Sequence, residues 1–191
     1  AGDSAMMLWG ASTSLTRESN WRWRRHEGVF MRHTPPPPGI FEPNVLERWR
    51  WRYEKQRPTV LYGRATMLAT FATYLQERGI QHRPQAVIAT AEVLTFQHRK
   101  LLTSVFKNAP FNFYGSRDVG MIAAECSEHE GLHFHPWGSY VEFDQVGESP
   151  DGTVYRLLVT DLLNYGQPFI RYDTGDCVTL TEQSCSCGRW F

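Results

Sequence analysis

The chain lacks a net charge. Lys plus Arg number 20 and Asp plus Glu number 20 in 191 residues, so no overall field favours nucleic acid or an anionic membrane surface. Long hydrophobic runs are missing too: none approaches the roughly 20 apolar residues that span a bilayer. The first residues, Ala1-Gly2-Asp3-Ser4, lack the charged-then-apolar pattern of a secretory signal, and the expected compartment is the cytoplasm. Cysteine is scarce, with four in the chain. Cys185 and Cys187 are one residue apart, a poor spacing for a bond to each other. Clustered thiols in a reducing compartment favour a metal or free thiols over a disulfide framework. Several catalytic signatures are absent: there is no nucleophile elbow, no helical His-Glu-x-x-His and no Ser/His/Asp arrangement. Gly10-Ala11-Ser12-Thr13-Ser14 has neither the lysine nor the glycine spacing of a P-loop and reads as a plain turn. No internal repeat is found.

What is present is a globular composition, 41% hydrophobic and 14% aromatic. The length allows one domain with a real core or two small lobes. Ala5 to Trp9 reads as a buried strand ending at Gly10. Residues 10–43 are irregular, and Pro35 to Pro38 form a rigid extended connector. From Asn44, a fair N-cap, a helix is predicted to about Gln56, stopped by Pro58. An alternation follows: a strand over Thr59–Tyr62 ending at Gly63, a helix over 65–78 with Met67, Leu68, Phe71 and Leu75 on one face and Gly79 as its stop, a strand over Ala86–Thr90, a helix over 95–107, and a strand over Phe111–Tyr114. This order predicts an α/β class, a parallel sheet flanked by helices. In such sheets ligands bind beyond the carboxyl ends of the strands, where Gly63, the Thr90-Ala91-Glu92 turn and Gly115 are expected. After about residue 120 the segments 139–143, 153–160 and 177–180 are strand-like, with turns at Pro150-Asp151-Gly152 and Tyr165-Gly166. The expected division is an α/β part over 1–120 followed by a smaller β-rich lobe over 121–191.

Two short stretches concentrate an aromatic, a glycine and a carboxylate after an apolar run. One is Phe113-Tyr114-Gly115-Ser116-Arg117-Asp118-Val119-Gly120; the other is Ile170-Arg171-Tyr172-Asp173-Thr174-Gly175-Asp176. Each is read as a strand end with a glycine turn, and Gly175 is expected to place Asp176 beyond its strand. In this order and spacing the pair resembles two core motifs of the adenylate-forming enzymes, and within them the phenylacetate–CoA ligase branch. Thr90-Ala91-Glu92-Val93-Leu94 and Pro168-Phe169-Ile170 also fit the family wording. The resemblance implies that Ala91, Glu92 and Val93 form one wall of an adenine site and Tyr114 the other, with Gly115 and Ser116 in the same turn. It implies that Asp176 receives the ribose hydroxyls, a match of two carboxylate oxygens to a vicinal diol, and that Asp118 holds Mg²⁺ beside substrate phosphates. Two departures stand out. Arg117 occupies a position where the family carries a hydroxyl residue, and Asp118 replaces a longer Glu. Arg117 is left between contacting a phosphate and pairing with a surface acid.

Cys126, His133, Cys185 and Cys187 match a Cys₃His zinc site in type and number, though Cys-x-Cys is not the usual ribbon spacing. His129 and His135 are alternative ligands, and Cys177 reads as a small buried residue. Similar Cys and His positions occur in the same branch of the family, and a closed site of this kind would pin the β-rich lobe. Trp21-Arg22-Trp23-Arg24-Arg25-His26 and Arg48-Trp49-Arg50-Trp51-Arg52-Tyr53 alternate cation and ring. Such alternation suits base stacking and phosphate contact. On a helix, however, Trp49 and Tyr53 share a face that would enter the core, leaving arginines in water.

The resemblance implies an AMP-forming acid–CoA ligase. A carboxylate and ATP give an acyl-adenylate, and coenzyme A then takes the acyl group, with ATP/AMP, Mg²⁺, CoA and structural Zn²⁺ as the implied ligands. The partners are then a small-molecule carboxylate and these cofactors, with no membrane and with a homodimer left open. The family's phosphate loop would lie before Ala1 and its mobile C-terminal domain after Arg189, so this chain is expected to be a portion that does not turn over alone. The rival is a zinc-stabilised module that binds nucleic acid through its Trp/Arg clusters. A third reading is a remnant of the ligase fold that binds neither.

Overall fold

The computed structural model describes residues 4–8, 43–181 and 184–189. Gly10–Ser14, the Trp21–His26 cluster and Pro35–Pro38 lie outside the described residues. The chain divides into two compact units, Ala1–Pro110 and Phe111–Phe191. The division falls at Pro110 and not near residue 120, because the strand that opens the second unit forms a hairpin with the one after it.

The first unit runs β1 (Ala5–Leu8), α1 (Pro43–Gln56), β2 (Val60–Arg64), α2 (Ala65–Glu77), β3 (Ala86–Thr90) and α3 (Phe96–Phe106). β1 pairs parallel with β2, and β2 pairs parallel with β3. Strand residues Met6, Leu8, Leu61, Val87 and Ala89 are buried against Leu68, Phe71 and Leu75 of α2 and Leu102 and Phe106 of α3. The helical period of the α2 apolar residues is thus the reason for its seat on the sheet. It stops at Arg78, and Gly79 follows at φ +65, as a helix end favours. Gly63 has another function than the expected strand-ending turn. It pairs with Leu8 inside the sheet, β2 continues to Arg64, and a Cβ on it would run into the Leu8 carbonyl oxygen. Glycine permits that close approach.

Helix α1 resolves the Arg48–Tyr53 alternation. Trp49 and Tyr53, one turn apart, are fully buried and meet Phe71 edge-on at 5.8 and 5.5 Å. The Tyr53 hydroxyl donates to the His82 carbonyl at 2.7 Å, and burial pushes its phenol pKa well up. Arg50 faces outward and pairs with Glu47 and Glu54. Tyr74 donates to Glu47 at 2.6 Å, and the Arg50 and Tyr74 bonds hold the Glu47 carboxyl down at about 2.

The second unit holds two antiparallel arrangements. β4 (Phe111–Ser116), β5 (Gly120–Glu125) and β6 (Leu132–Phe134) pair in sequence, and β7 (Ser139–Ser149), β8 (Gly152–Asp161) and β9 (Tyr172–Thr179) form a separate sheet in the order β7-β8-β9. Val119, Ile122 and Val159 make its small core, with Tyr114, Phe134, Phe169 and Tyr172 packed against them. β5 and β6 escaped the sequence reading. Ile122, Ala123 and Ala124 are all buried, so β5 shows no alternation, and alanine carries little strand preference. β9 starts at Tyr172 and not near Cys177, for a reason that belongs to the site. No helix among the described residues is long and apolar enough to cross a membrane.

Candidate functional site

The first motif is a hairpin tip. β4 and β5 are joined by Arg117-Asp118-Val119, and Gly120 follows at φ +73, the left-handed residue such tight loops require. Gly115 is therefore not the turn glycine that the motif suggested. It lies inside β4 at a register shift, and a Cβ there would run into the Gly120 carbonyl oxygen. The Ser116 hydroxyl accepts from the Asp118 and Val119 N–H groups at 3.3 and 3.2 Å. Val119 plugs the core, and the same turn leaves Arg117 and Asp118 exposed. Arg117 has no hydrogen bond or ion pair among the described residues.

The second motif is a bulge. Leu158 pairs with Asp173 and Arg156 with Cys177, so Thr174, Gly175 and Asp176 stand opposite Leu157 alone. Gly175 takes φ +76. The Asp173 carboxylate accepts from the Gly175 N–H at 2.9 Å, and the Thr174 hydroxyl from the Asp176 N–H at 3.2 Å. The expectation that Asp176 lies beyond a strand end is corrected: β9 passes through the motif, because the bulge absorbs the irregular residues and pairing resumes at Cys177. Cys177, expected buried, is exposed.

The two motifs meet crosswise. The Tyr114 hydroxyl donates to Asp176 Oδ2 at 2.7 Å and lies 3.3 Å from Thr174 Oγ1. The Tyr172 hydroxyl donates to Asp118 Oδ2 at 2.8 Å. Burial, with Asp176 adding, pushes the Tyr114 phenol up to about 12 against the opposing Thr174 hydroxyl. The Asp118 bond raises Tyr172 likewise. Each carboxylate thus spends one oxygen on a tyrosine, and no bond is made to the other oxygen among the described residues. Asp118 opens onto a cavity of about 560 Å³ whose wall includes Met121, Gly138, Asp161 and Leu163. Sequence reasoning gave no role to Tyr172 or Thr174. The repeated spacing, Tyr114 with Asp118 and Tyr172 with Asp176, was the available signal.

Ala91, Glu92 and Val93 belong to the first unit. Ala91 takes φ +60 after β3, and Val93 is 81% exposed. The Glu92 carboxylate accepts from the Thr66 N–H at 2.9 Å and the Thr66 hydroxyl at 2.7 Å, and it pairs with Arg64. Burial would raise its pKa, but Thr66 and Arg64 outweigh that and lower it. The side chain is committed to the first turn of α2, which leaves the backbone of this turn for any ligand.

Cys126, His133, Cys185 and Cys187 converge with their donor atoms within 4.8 Å of one another. Cys126, His133 and Cys185 are buried. Cys126 Sγ lies 3.6 Å from Cys185 Sγ, and Cys187 Sγ 3.5 Å from His133 Nε2. A tetrahedral ion with bonds of about 2.3 Å to sulfur and about 2.0 Å to nitrogen sets ligand atoms about 3.5–3.8 Å apart. The Cys126 and Cys185 carbonyls each accept the N–H of the residue three further on, His129 at 3.2 Å and Gly188 at 2.9 Å, so both thiols project from tight turns. Burial raises the Cys126 thiol, but the Glu128 N–H, His133 and the neighbouring sulfurs outweigh it and bring it down to about 6. Cys185, despite a backbone N–H from Cys187 that draws it down, is pushed up to about 11 by burial and its neighbouring sulfurs. Of the alternatives, His129 is bound to Glu125 at 2.9 Å, and His135 is not in the cluster.

No family model matches the chain. The phenylacetate-coenzyme A ligase of Thermus thermophilus is 30% identical over 172 residues, covering 85% of this chain and 38% of that enzyme. Protein CapK of Staphylococcus aureus is 28% identical over 134 residues, 69% of this chain and 29% of CapK. Among solved structures, an open 2-hydroxyisobutyryl-CoA ligase in complex with 2-HIB-AMP and CoA matches with a TM-score of 0.75 at 16% identity, over 98% of this chain and 42% of that one. ATP-bound MatB from Rhodopseudomonas palustris matches with a TM-score of 0.54 at 16% identity, over 94% of this chain and 38% of that one. The chain therefore spans less than half the length of these relatives. Over that span, it belongs to the adenylate-forming enzyme superfamily.

Proposed function

We propose that this chain is the nucleotide-handling portion of an AMP-forming acid–CoA ligase. The observation that carries the reading is the crosswise pairing of Tyr114 with Asp176 and of Tyr172 with Asp118, which gathers an aromatic ring and two half-open carboxylates in one unit. Tyr114 offers its ring to adenine, with Gly115 and Ser116 beside it. The open oxygen of Asp176 accepts from ribose hydroxyls. Asp118 offers a hard oxygen to Mg²⁺, and Arg117, exposed and without an ion pair among the described residues, is placed for a phosphate. When bound, Mg²⁺ would offset phosphate charge as a carboxylate attacks. The exposed tip and the adjoining cavity suit an ion that keeps several waters. Support for the ligase class comes from the structural neighbours, which hold 2-HIB-AMP and CoA in one case and ATP in another. The Cys₃His cluster is read as a structural zinc site that ties Cys185–Cys187 to the β5–β6 region. Spanning 38% of the Thermus enzyme, the chain is expected to bind nucleotide without completing acyl transfer.

The nucleic-acid reading is the weaker one, because Trp49 and Tyr53 are buried and Arg50 is paired. Calorimetric titration with ATP and Mg²⁺ tests the first reading. The wild-type chain is expected to bind, and Asp176→Ala to lose about tenfold or more in affinity. Equal affinity in the two proteins would overturn the assignment.

A further inference from the structure

Asp118 presents a problem that its own hairpin does not solve. It stands exposed on the tip of the β4–β5 loop, and its backbone N–H is held by the Ser116 hydroxyl at 3.3 Å. That bond fixes the main chain and says nothing about where the carboxylate points. No cation among the described residues pairs with it, the neighbouring Arg117 included. A short carboxylate on an exposed turn ordinarily samples several orientations, and an ion that binds through one oxygen must first order it.

The restraint comes from the other motif. Tyr172 donates to Asp118 Oδ2 at 2.8 Å across 54 residues of sequence. Tyr172 is itself fixed. Its backbone pairs with Val159 of β8, its ring meets Phe169 at 5.1 Å and 71°, and it packs on the Val119, Ile122 and Val159 core. The donor is therefore rigid and the acceptor otherwise free. The bond takes one carboxylate oxygen and leaves Oδ1 without a partner among the described residues, beside the cavity that Asp118 lines. A phenol leaves the carboxylate its negative charge, where an arginine would neutralise it. The arrangement orients the acid without spending its charge.

We infer that Tyr172 is a positioning residue for a divalent cation, its hydroxyl fixing Asp118 so that Oδ1 is the coordinating atom. The inference rests on the reading of Asp118 as the cation carboxylate. It gives a function to Tyr172, which that reading used only as the partner of Asp118.

The test separates cation dependence from nucleotide binding and from folding. AMP affinity is measured by calorimetry in magnesium-free buffer without chelator, so that the Cys₃His cluster is left intact, and ATP affinity is measured across a series of MgCl₂ concentrations. Both are run on the full chain, on Tyr172→Phe and on Asp118→Asn, with thermal unfolding alongside. The expected result is that Tyr172→Phe keeps AMP affinity within about twofold and raises the MgCl₂ needed for half-maximal ATP binding by about tenfold, the size of one hydrogen bond to a charged group. Asp118→Asn is expected to raise it further. A shift in Asp118→Asn with none in Tyr172→Phe overturns the role of Tyr172 and leaves the cation assignment standing. Equal losses of AMP and ATP affinity in Tyr172→Phe also overturn it, since that is the mark of a structural tie. No shift in either variant while AMP still binds removes Asp118 as the cation carboxylate, and the inference falls with it. No AMP binding by the wild-type chain removes the nucleotide reading and the inference together.

Discussion

Gly115 and Gly120 approach so closely across the β4–β5 hairpin that a side chain on the first would run into the carbonyl oxygen of the second. Backbone, and not a flexible side-chain end, blocks the space. Gly115→Ala is therefore expected to destabilise the chain by about 2–4 kcal/mol in urea unfolding. Gly147, with open space around its position, is the control, and Gly147→Ala should change stability by less than about 1 kcal/mol. Similar losses at both positions would mean that the hairpin yields where it is drawn as tight.

Elemental analysis of the purified chain is expected to find one zinc, held by Cys126, His133, Cys185 and Cys187. Removing it should lower the unfolding midpoint by on the order of 10 °C, equivalent to roughly 3 kcal/mol. Protons compete with the metal for thiolates, so affinity should fall as pH falls. A chain that contains no zinc and whose stability is indifferent to chelator would leave the cluster as reduced thiols.

Trp49 and Trp51 are two positions apart in sequence and opposites in environment, 1% and 56% exposed. Trp49→Ala should cost about 3–5 kcal/mol, and Trp51→Ala about 0.5 kcal/mol or less. If single-stranded nucleic acid bound with a steep salt dependence and Trp51→Ala abolished it, the binding-module reading would regain its standing.

The Tyr114 phenol is raised from 10.0 to about 12 by burial and by Asp176. A group with a raised folded pKa binds its proton more tightly when folded. Its contribution is complete below the unfolded value and is lost as pH rises through the folded one. Stability should therefore decline between pH 10 and about 12, and Tyr114→Phe should flatten that part of the curve. A wild-type curve with the slope of the variant would show that the phenol is not held as drawn.

Much of the first unit is legible in the residues. The helical period of Met67, Leu68, Phe71 and Leu75 and the apolar run at Ala86–Thr90 each state a local structure that packing then uses. The Trp49 and Tyr53 spacing likewise states which face of α1 is buried. The second unit is harder to read. β5 is buried at consecutive positions, and β9 is recognisable only once its bulge is counted out of register. Gly63 and Gly115 look like turn residues by composition. Their reason lies in a neighbouring strand, which local sequence does not report. For the site, composition pointed to Tyr114, Asp118 and Asp176, but the pairing of each acid depends on a partner more than fifty positions away.

That reciprocity has a consequence for anyone who would transplant these motifs. Moving the β4–β5 hairpin into another scaffold strands Tyr172 and Asp176, and moving the β9 bulge strands Tyr114 and Asp118. The transferable module is the pair. A design that borrows one half must supply a phenol and an acid to stand in for the other.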